Sequence, residues 1–207
     1  MLKENVYEAI KQRIIICHYG PGVVLNERAL LDEYNIGKMP LREILIGLQH
    51  EGLIRRYARI GTVVAPIDVK KLRNMAEIRY HLEGVVGRLA ARRISDSILA
   101  QMRGCLKRME ESAKENMFES YAVEESSLHN WLYTATGNEE LKQVIYRTID
   151  HFTRAWFSVE RTPLDFSTQL NHWLNIYQAL CDKDEEKAAV YNVEHFEAFN
   201  DYLKSMK

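Results

Sequence analysis

Cysteine is scarce in this chain: Cys17, Cys105 and Cys181 are the only three among 207 residues. They are odd in number, far apart and never spaced C-x-x-C, which excludes a disulfide framework and a cysteine-built zinc site and fits a reducing compartment. Long apolar runs are missing too. No segment approaches the roughly 18–20 apolar residues needed to span a bilayer, and the opening MLKENVYEAI is charged and amphipathic rather than a basic stretch followed by an apolar one. A soluble, cytoplasmic protein is expected, with no membrane partner. Net charge is nearly absent at -1, which argues against a surface uniformly built for polyanions. There is no low-complexity segment, fixed-period repeat, phosphate loop or nucleophile motif.

What charge there is divides unevenly. Residues 1–66 hold nine Lys or Arg against seven Asp or Glu, and residues 67–207 hold nineteen against twenty-two. This permits a nucleic-acid-binding front end on a mildly acidic body, with any basic face local. The length and 46% hydrophobic content suffice for one large or two modest cores.

The periodicity changes along the chain. VYEAIKQRIIICHY carries apolar positions at Val6, Ile10, Ile14 and Cys17, and the turn residues YGPG stop it. NERALLDEYNI gives a short helix with Asn26 as its N-cap. After a turn containing Gly37 and Pro40, Leu41, Ile44, Leu45 and Leu48 fall at i, i+3, i+4 and i+7, one buried helix face. Lys38, Met39, Arg42 and Gln49 are left facing outward. Taken alone this would be a packing helix with a solvated face. EGLIRRYARIGTVVAPI then switches to strand period around a turn at Ile60-Gly61, a short hairpin. Helix, helix, turn, helix and hairpin in about 65 residues is the winged helix-turn-helix order, whose third helix enters the major groove.

Beyond Pro66 the pattern is helical for the remaining 140 or so residues, punctuated at Ser95-Asp96, Gly137-Asn138, Thr162-Pro163 and Asp182-Lys183-Asp184. About six antiparallel helices of this length make a bundle. The expected fold is mainly α: an N-terminal winged helix-turn-helix domain with a β-hairpin wing over residues 1–66, a linker at 67–70, and an all-α antiparallel helical bundle over 71–207.

The stretch LNERALLDEYNIGKMPLREILIGLQHEGLIRRYARIGTVVAP resembles the DNA-binding domain of GntR-type bacterial transcription regulators. Their pattern runs roughly L-S-E-R-x-L, then S-R-T-P-V-R-E-A-L-x-x-L-x-x-E-G-L-V and a Gly-rich wing. The helical remainder resembles the FCD effector domain of the FadR subfamily through IRYHLEGVVGRLAARRISD, ATGNEELKQVI and its late histidines. The resemblance covers nearly the whole chain. It implies operator binding through Arg28 and Arg42, through Lys38 and Met39 at the start of the recognition helix, and through Arg59 and Gly61 in the wing. Gly37-Lys38-Met39 stands where the family has S-R-T. Glycine is the weaker cap and lysine lacks the fork that suits guanine, so altered sequence specificity is expected.

The same resemblance implies a divalent metal, zinc or nickel, held by Asp and three His in such domains; here the matching residues are Glu125, His129, His172 and His195. Glu125 and His129 are four apart and share a helix face. Three imidazoles and a carboxylate suit a first-row divalent ion and leave a position for a further ligand. His18, His50, His81 and His151, lacking partners at useful spacing, are read as ordinary core or surface residues. Arg79 matches an effector-facing arginine of the family, and it is equally placed to pair with Glu83 one turn on.

These features imply a ligand-responsive regulator, most simply a repressor and not an enzyme, working as a homodimer on double-stranded operator DNA and sensing a small carboxylate metabolite at the metal. Two alternatives remain at this stage. One is a metal-dependent hydrolase or lyase using the same helical site with Glu124 or Glu125 as base. The other is a regulator with a structural metal or none.

Overall fold

The computed structural model describes residues 3–158 and 166–205. Three short helices lead: α1 (Lys3–Ile15), α2 (Glu27–Tyr34) and α3 (Lys38–His50). The first stops two residues before Cys17, which takes φ 57 and so leaves the expected apolar stripe. Asn26 caps α2 through Oδ1, which accepts from the Ala29 amide at 3.0 Å. Gly37 offers α3 no such bond. A side-chain cap contributes about 1 kcal/mol, whereas each fully buried Leu or Ile contributes roughly 1.5–3 kcal/mol. With Leu41, Ile44, Leu45 and Leu48 packed among Val6, Ile10, Ile14, Leu30 and Tyr34, burial outweighs the weak cap and α3 forms anyway.

The hairpin joins β1 (Ile54–Tyr57) to β2 (Gly61–Val64), with Ile54 opposite Val64 and Tyr57 opposite Gly61. At its tip Arg59 and Gly61 both adopt left-handed backbone, φ 70 and 102. The sequence pattern did not reveal a third edge. Val24 bridges Val63, the Leu25 amide donates to the Thr62 carbonyl at 2.8 Å, and the Val64 amide donates to Val23 at 2.9 Å. Three residues are too few to carry a period. Thr62, though polar, is buried, and its hydroxyl donates to Glu27 Oε1 at 2.7 Å, tying the wing to α2.

Six longer helices follow: α4 (Val69–Arg93), α5 (Asp96–Lys114), α6 (Phe118–Ala135), α7 (Glu139–Ser158), α8 (Phe166–Cys181) and α9 (Glu185–Ser205). Their breaks carry the expected turn chemistry. Ser95, Asn138 and Asp184 each accept an amide hydrogen bond three residues on, capping α5, α7 and α9. Gly137 and Lys183 take the left-handed conformation after α6 and α8. The Thr162-Pro163 break lies outside the described residues. By contacts the chain forms two compact units, residues 1–72 with 147–162 and residues 73–146 with 163–207, so α7 contributes to both. In the second unit α5 packs on α6 and α8, and α8 on α9.

Helix α4 meets α9 at Gly87. A Cβ there would lie 2.4 Å from the Ala188 carbonyl oxygen and 2.6 Å from Ala189 Cα, both backbone atoms that no rotamer change can move. Gly87→Ala is therefore expected to destabilise the second unit by about 3 kcal/mol, the upper end of ordinary overpacking losses, measured as a lower urea midpoint. A loss below about 0.5 kcal/mol, the size of an ordinary surface substitution, would show that the two helices separate freely here.

Candidate DNA-binding face and metal centre

The outward face of α3 and the wing carry the residues expected to meet DNA. Arg28, Lys38, Met39, Arg42, Arg59 and Gly61 are all exposed. Neighbouring charges in this unit are neutralised: Lys3 by Glu43, Arg13 by Glu33 at 2.6 Å, and Arg56 by Glu27 at 3.5 Å. Among the described residues Arg28, Lys38, Arg42 and Arg59 have no ion-pair partner, so their charge is available to phosphate or base edges. Met39 leaves 64% of its surface in water at the first turn of α3, a position from which it can offer only apolar contact. Such contact suits a thymine methyl rather than a guanine edge.

In the second unit Glu125 and His129 of α6 and His195 of α9 bring one ligand atom each within 4.8 Å of one another. The i, i+4 spacing on α6 supplies two of the three and the packing of α9 the third. His172 of α8 is not part of that trio, but its ring lies 6.0 Å, centroid to centroid, from that of His195. Trp173 packs against His129 and His195 at 4.7 and 4.8 Å and closes the apolar side. Nδ1 of His172 and Nδ1 of His195 are buried without a hydrogen-bond partner, a costly state that coordination of a cation relieves.

The electrostatics agree with that donor set. Burial raises the Glu125 carboxyl to about 7, partly opposed by the Trp173 indole. Burial lowers His195 to about 3, with the charges of His172 and Arg79 adding to it, and holds His129 well below the ordinary imidazole range. The His129 and His195 imidazoles are thus neutral, the form that binds metal. The residues present fit a divalent cation.

Behind His129 runs a buried polar chain. His129 Nδ1 lies 3.2 Å from the Tyr133 hydroxyl, which donates to Glu83 Oε1 at 3.3 Å and accepts from Arg79 Nη2 at 3.0 Å. Arg79 also pairs with Glu83 and stacks over the Phe196 ring at 4.8 Å. Asn192 Nδ2 donates to Glu83 Oε2 at 2.8 Å. The Arg79–Glu83 pair anticipated from spacing is formed, but it is buried rather than on the surface. Burial disfavours the guanidinium charge, and Glu83 and Tyr133 outweigh it, so Arg79 titrates above its usual range. Sequence reading overlooked Tyr133 and Asn192, although Tyr133 sits four residues after His129 and Asn192 three before His195, spacings that place each beside a candidate ligand.

Residues 2–64 match the family described as bacterial regulatory proteins of the gntR family, and residues 74–198 match the FCD domain. The chain belongs to the GntR family of DNA-binding transcription regulators, with an FCD domain after its winged helix. It is 28% identical to the Nta operon transcriptional regulator of Aminobacter aminovorans, over 90% of this chain and 87% of that one. It is 22% identical to the HTH-type transcriptional repressor RspR of Escherichia coli K12, over 100% and 90%. The solved structure of E. coli McbR/YncC shares the fold, with a TM-score of 0.84 over 99% of this chain and 97% of that one at 18% identity. These relatives are regulators rather than enzymes, which removes the hydrolase or lyase alternative. No helix among the described residues is long and apolar enough to cross a membrane.

Proposed function

We propose that this protein is a repressor whose operator binding is modulated by a small carboxylate metabolite bound at a divalent metal, zinc or nickel, held by Glu125, His129, His172 and His195. The observation that carries the reading is the convergence of Glu125, His129 and His195 within 4.8 Å, beside a buried arginine and in a different unit from the winged helix. Residues 1–66 form the DNA-binding domain, 67–70 the linker and 71–207 the effector domain. The working form is a cytoplasmic homodimer, because a pseudo-palindromic operator presents two half-sites to a two-fold protein.

A divalent metal, when held by Glu125, His129, His172 and His195, would supply Lewis acidity toward a carboxylate effector. The protein's own residues do the rest. Arg79 is already engaged by Glu83 and Tyr133, so an effector that reaches it must compete with Glu83 and rearrange the chain that ends at His129. A ligand shifts operator affinity only if it prefers one arrangement over the other, and displacement of Glu83 provides such a preference. Titrating metal-loaded protein with small hydroxy and dicarboxylic acids, while following its binding to a duplex selected in vitro, tests the reading. Release of DNA by an acid is expected. An acid that binds the metal-loaded protein and leaves DNA affinity unchanged would refute the coupling.

On the DNA side, Arg42→Ala is expected to weaken specific binding by about 1–3 kcal/mol if Arg42 reads a base. Arg28→Ala and Lys38→Ala should weaken specific and unrelated duplexes alike and reduce the salt slope by about one unit each, the signature of phosphate contacts. Unchanged affinity of Arg42→Ala in a salt-controlled anisotropy titration would remove it from the contact set.

A further inference from the structure

A second concave site lies entirely within the first unit and shares no residue with the Glu125–His129–His195 centre. It is a cavity of about 440 Å³ between the wing strand β1, the Ala65–Asp68 segment, the first turn of α4 and the second half of α7. That volume is within the roughly 300–1,000 Å³ typical of small-molecule sites. Arg55, Lys71, His151 and Arg154 line it, with Asp68 as the acidic residue among them. Asp68 is already committed, its Oδ1 accepting from the Lys71 amide at 2.9 Å as the cap of α4.

Arg154 is the decisive residue. Its side chain is almost wholly buried. It donates from Nη2 to the Ala65 carbonyl, while Nε is buried with no hydrogen-bond partner among the described residues. Among the described residues no carboxylate pairs with it. A buried guanidinium without a counter-charge costs several kcal/mol in general, and structures keep one chiefly where something else supplies the negative charge. Lys71 repeats the pattern. Its ammonium meets the neutral acceptor His151 Nε2 at 3.0 Å, yet that nitrogen also lies 2.9 Å from the Glu51 carbonyl oxygen. One nitrogen cannot accept from Lys71 and donate to Glu51 at once, so at least one contact is left poorly satisfied. Burial and the nearby charges of Arg154 and Arg55 depress Lys71, with Asp68 opposing. Burial and Lys71 likewise hold His151 down at about 4.

We infer that this cavity binds a small phosphate-type dianion, free or as the phosphate of a metabolite, between Arg154, Lys71 and Arg55. A duplex backbone is the wrong shape for it: phosphates on a rigid helix meet convex, exposed cations such as Arg28 and Arg42, not a buried one at the back of a cavity. The apolar walls from Ile54, Pro66 and Leu72 leave room for a non-ionic remainder of the ligand. Because β1 belongs to the wing and Lys71 to the first turn of α4, an occupant would stiffen the wing's base. That gives the chain a second input, independent of the metal centre.

The test is calorimetric titration of the full chain with inorganic phosphate at constant ionic strength. Saturable binding of one phosphate per chain is expected, weakened at least tenfold in both Lys71→Gln and Arg154→Lys. Urea unfolding of each variant confirms that it retains a cooperative transition, and the half-buried Lys71 keeps the test valid if Arg154→Lys does not fold. Absence of saturable binding overturns the proposal, as does binding unaltered in the folded variants. Binding that survives in them but vanishes in the His172→Ala, His195→Ala double variant assigns the anion to the metal centre and also overturns it. Displacement of phosphate by a short duplex of unrelated sequence would do so too, since the cations would then belong to the DNA-facing surface.

Discussion

Glu83→Ala is expected to be among the most damaging single substitutions in the second unit, lowering its stability by about 3–5 kcal/mol. The reason is asymmetry rather than the strength of the ion pair. The Arg79 and Glu83 side chains are 5% and 2% exposed, so both have given up hydration, and their attraction together with the Tyr133 and Asn192 hydrogen bonds offsets that loss. Removing Glu83 strips the buried guanidinium of its carboxylate partner and Asn192 Nδ2 of one acceptor, although the backbone carbonyl of residue 83 remains 2.9 Å away. Replacing both members, Arg79→Met with Glu83→Leu, should recover most of the loss, because well-packed apolar substitutes for a buried pair are commonly neutral or better. Urea denaturation of the three proteins at constant m-value measures this. A Glu83→Ala loss under 1 kcal/mol would mean that water reaches Arg79 in solution.

That network also marks where sequence reading reaches its limit. The recognition helix was legible because Leu41, Ile44, Leu45 and Leu48 obey one period and the turn before them carries Gly37 and Pro40. The N-cap at Asn26 was legible because short polar side chains at helix starts have a local mechanism. Local rules also gave the breaks at Ser95, Asn138 and Asp184. The third edge of the wing at Val23–Leu25 was not legible, since its pairing with β2 joins residues nearly 40 apart and leaves no periodic trace. The metal centre falls between these cases. Glu125 and His129 share a face by spacing, but only the packing of α9 on α8 brings His195 in, and resemblance to the FCD domain stood in for that packing. His151 was read as an ordinary residue for want of a partner nearby in sequence; its partners, Lys71 and Glu51, are 80 and 100 residues away. Packing also decides chemistry that spacing alone cannot: Arg79 and Arg154 each have a carboxylate four residues away, Glu83 and Asp150, but Arg79 pairs with Glu83, whereas Asp150 pairs with Lys11 and Arg154 has no carboxylate partner among the described residues.

His195→Ala is expected to remove the metal altogether. Purified protein grown in metal-replete medium should carry close to one divalent ion per chain by plasma mass spectrometry, and the variant less than about a tenth of that, because a lost imidazole opens the centre at its buried side and typical losses for disrupted sites reach 10–100-fold even when only a supporting residue goes. His172→Ala should act in the same direction if α8 closes the site once an ion is present. The pH dependence follows from the carboxylate. Glu125 is held at about 7 by burial, and only its ionised form is a ligand, so a proton and the ion compete for it. Apparent affinity should therefore climb by about tenfold per unit as pH rises toward 7, with one proton released per ion bound on that limb, and level off above, where the carboxyl is already ionised. His195, at about 3, and His129, further depressed by burial, stay neutral throughout that window and add no slope. Glu125→Gln should flatten the profile as well as weaken binding, since the amide has no proton to lose; a profile unchanged by Glu125→Gln would exclude Glu125 from the ligand set. A metal content that His195→Ala leaves intact would place any bound ion elsewhere in the chain, and the coupling proposed through Tyr133, Glu83 and Arg79 would then lose its starting point.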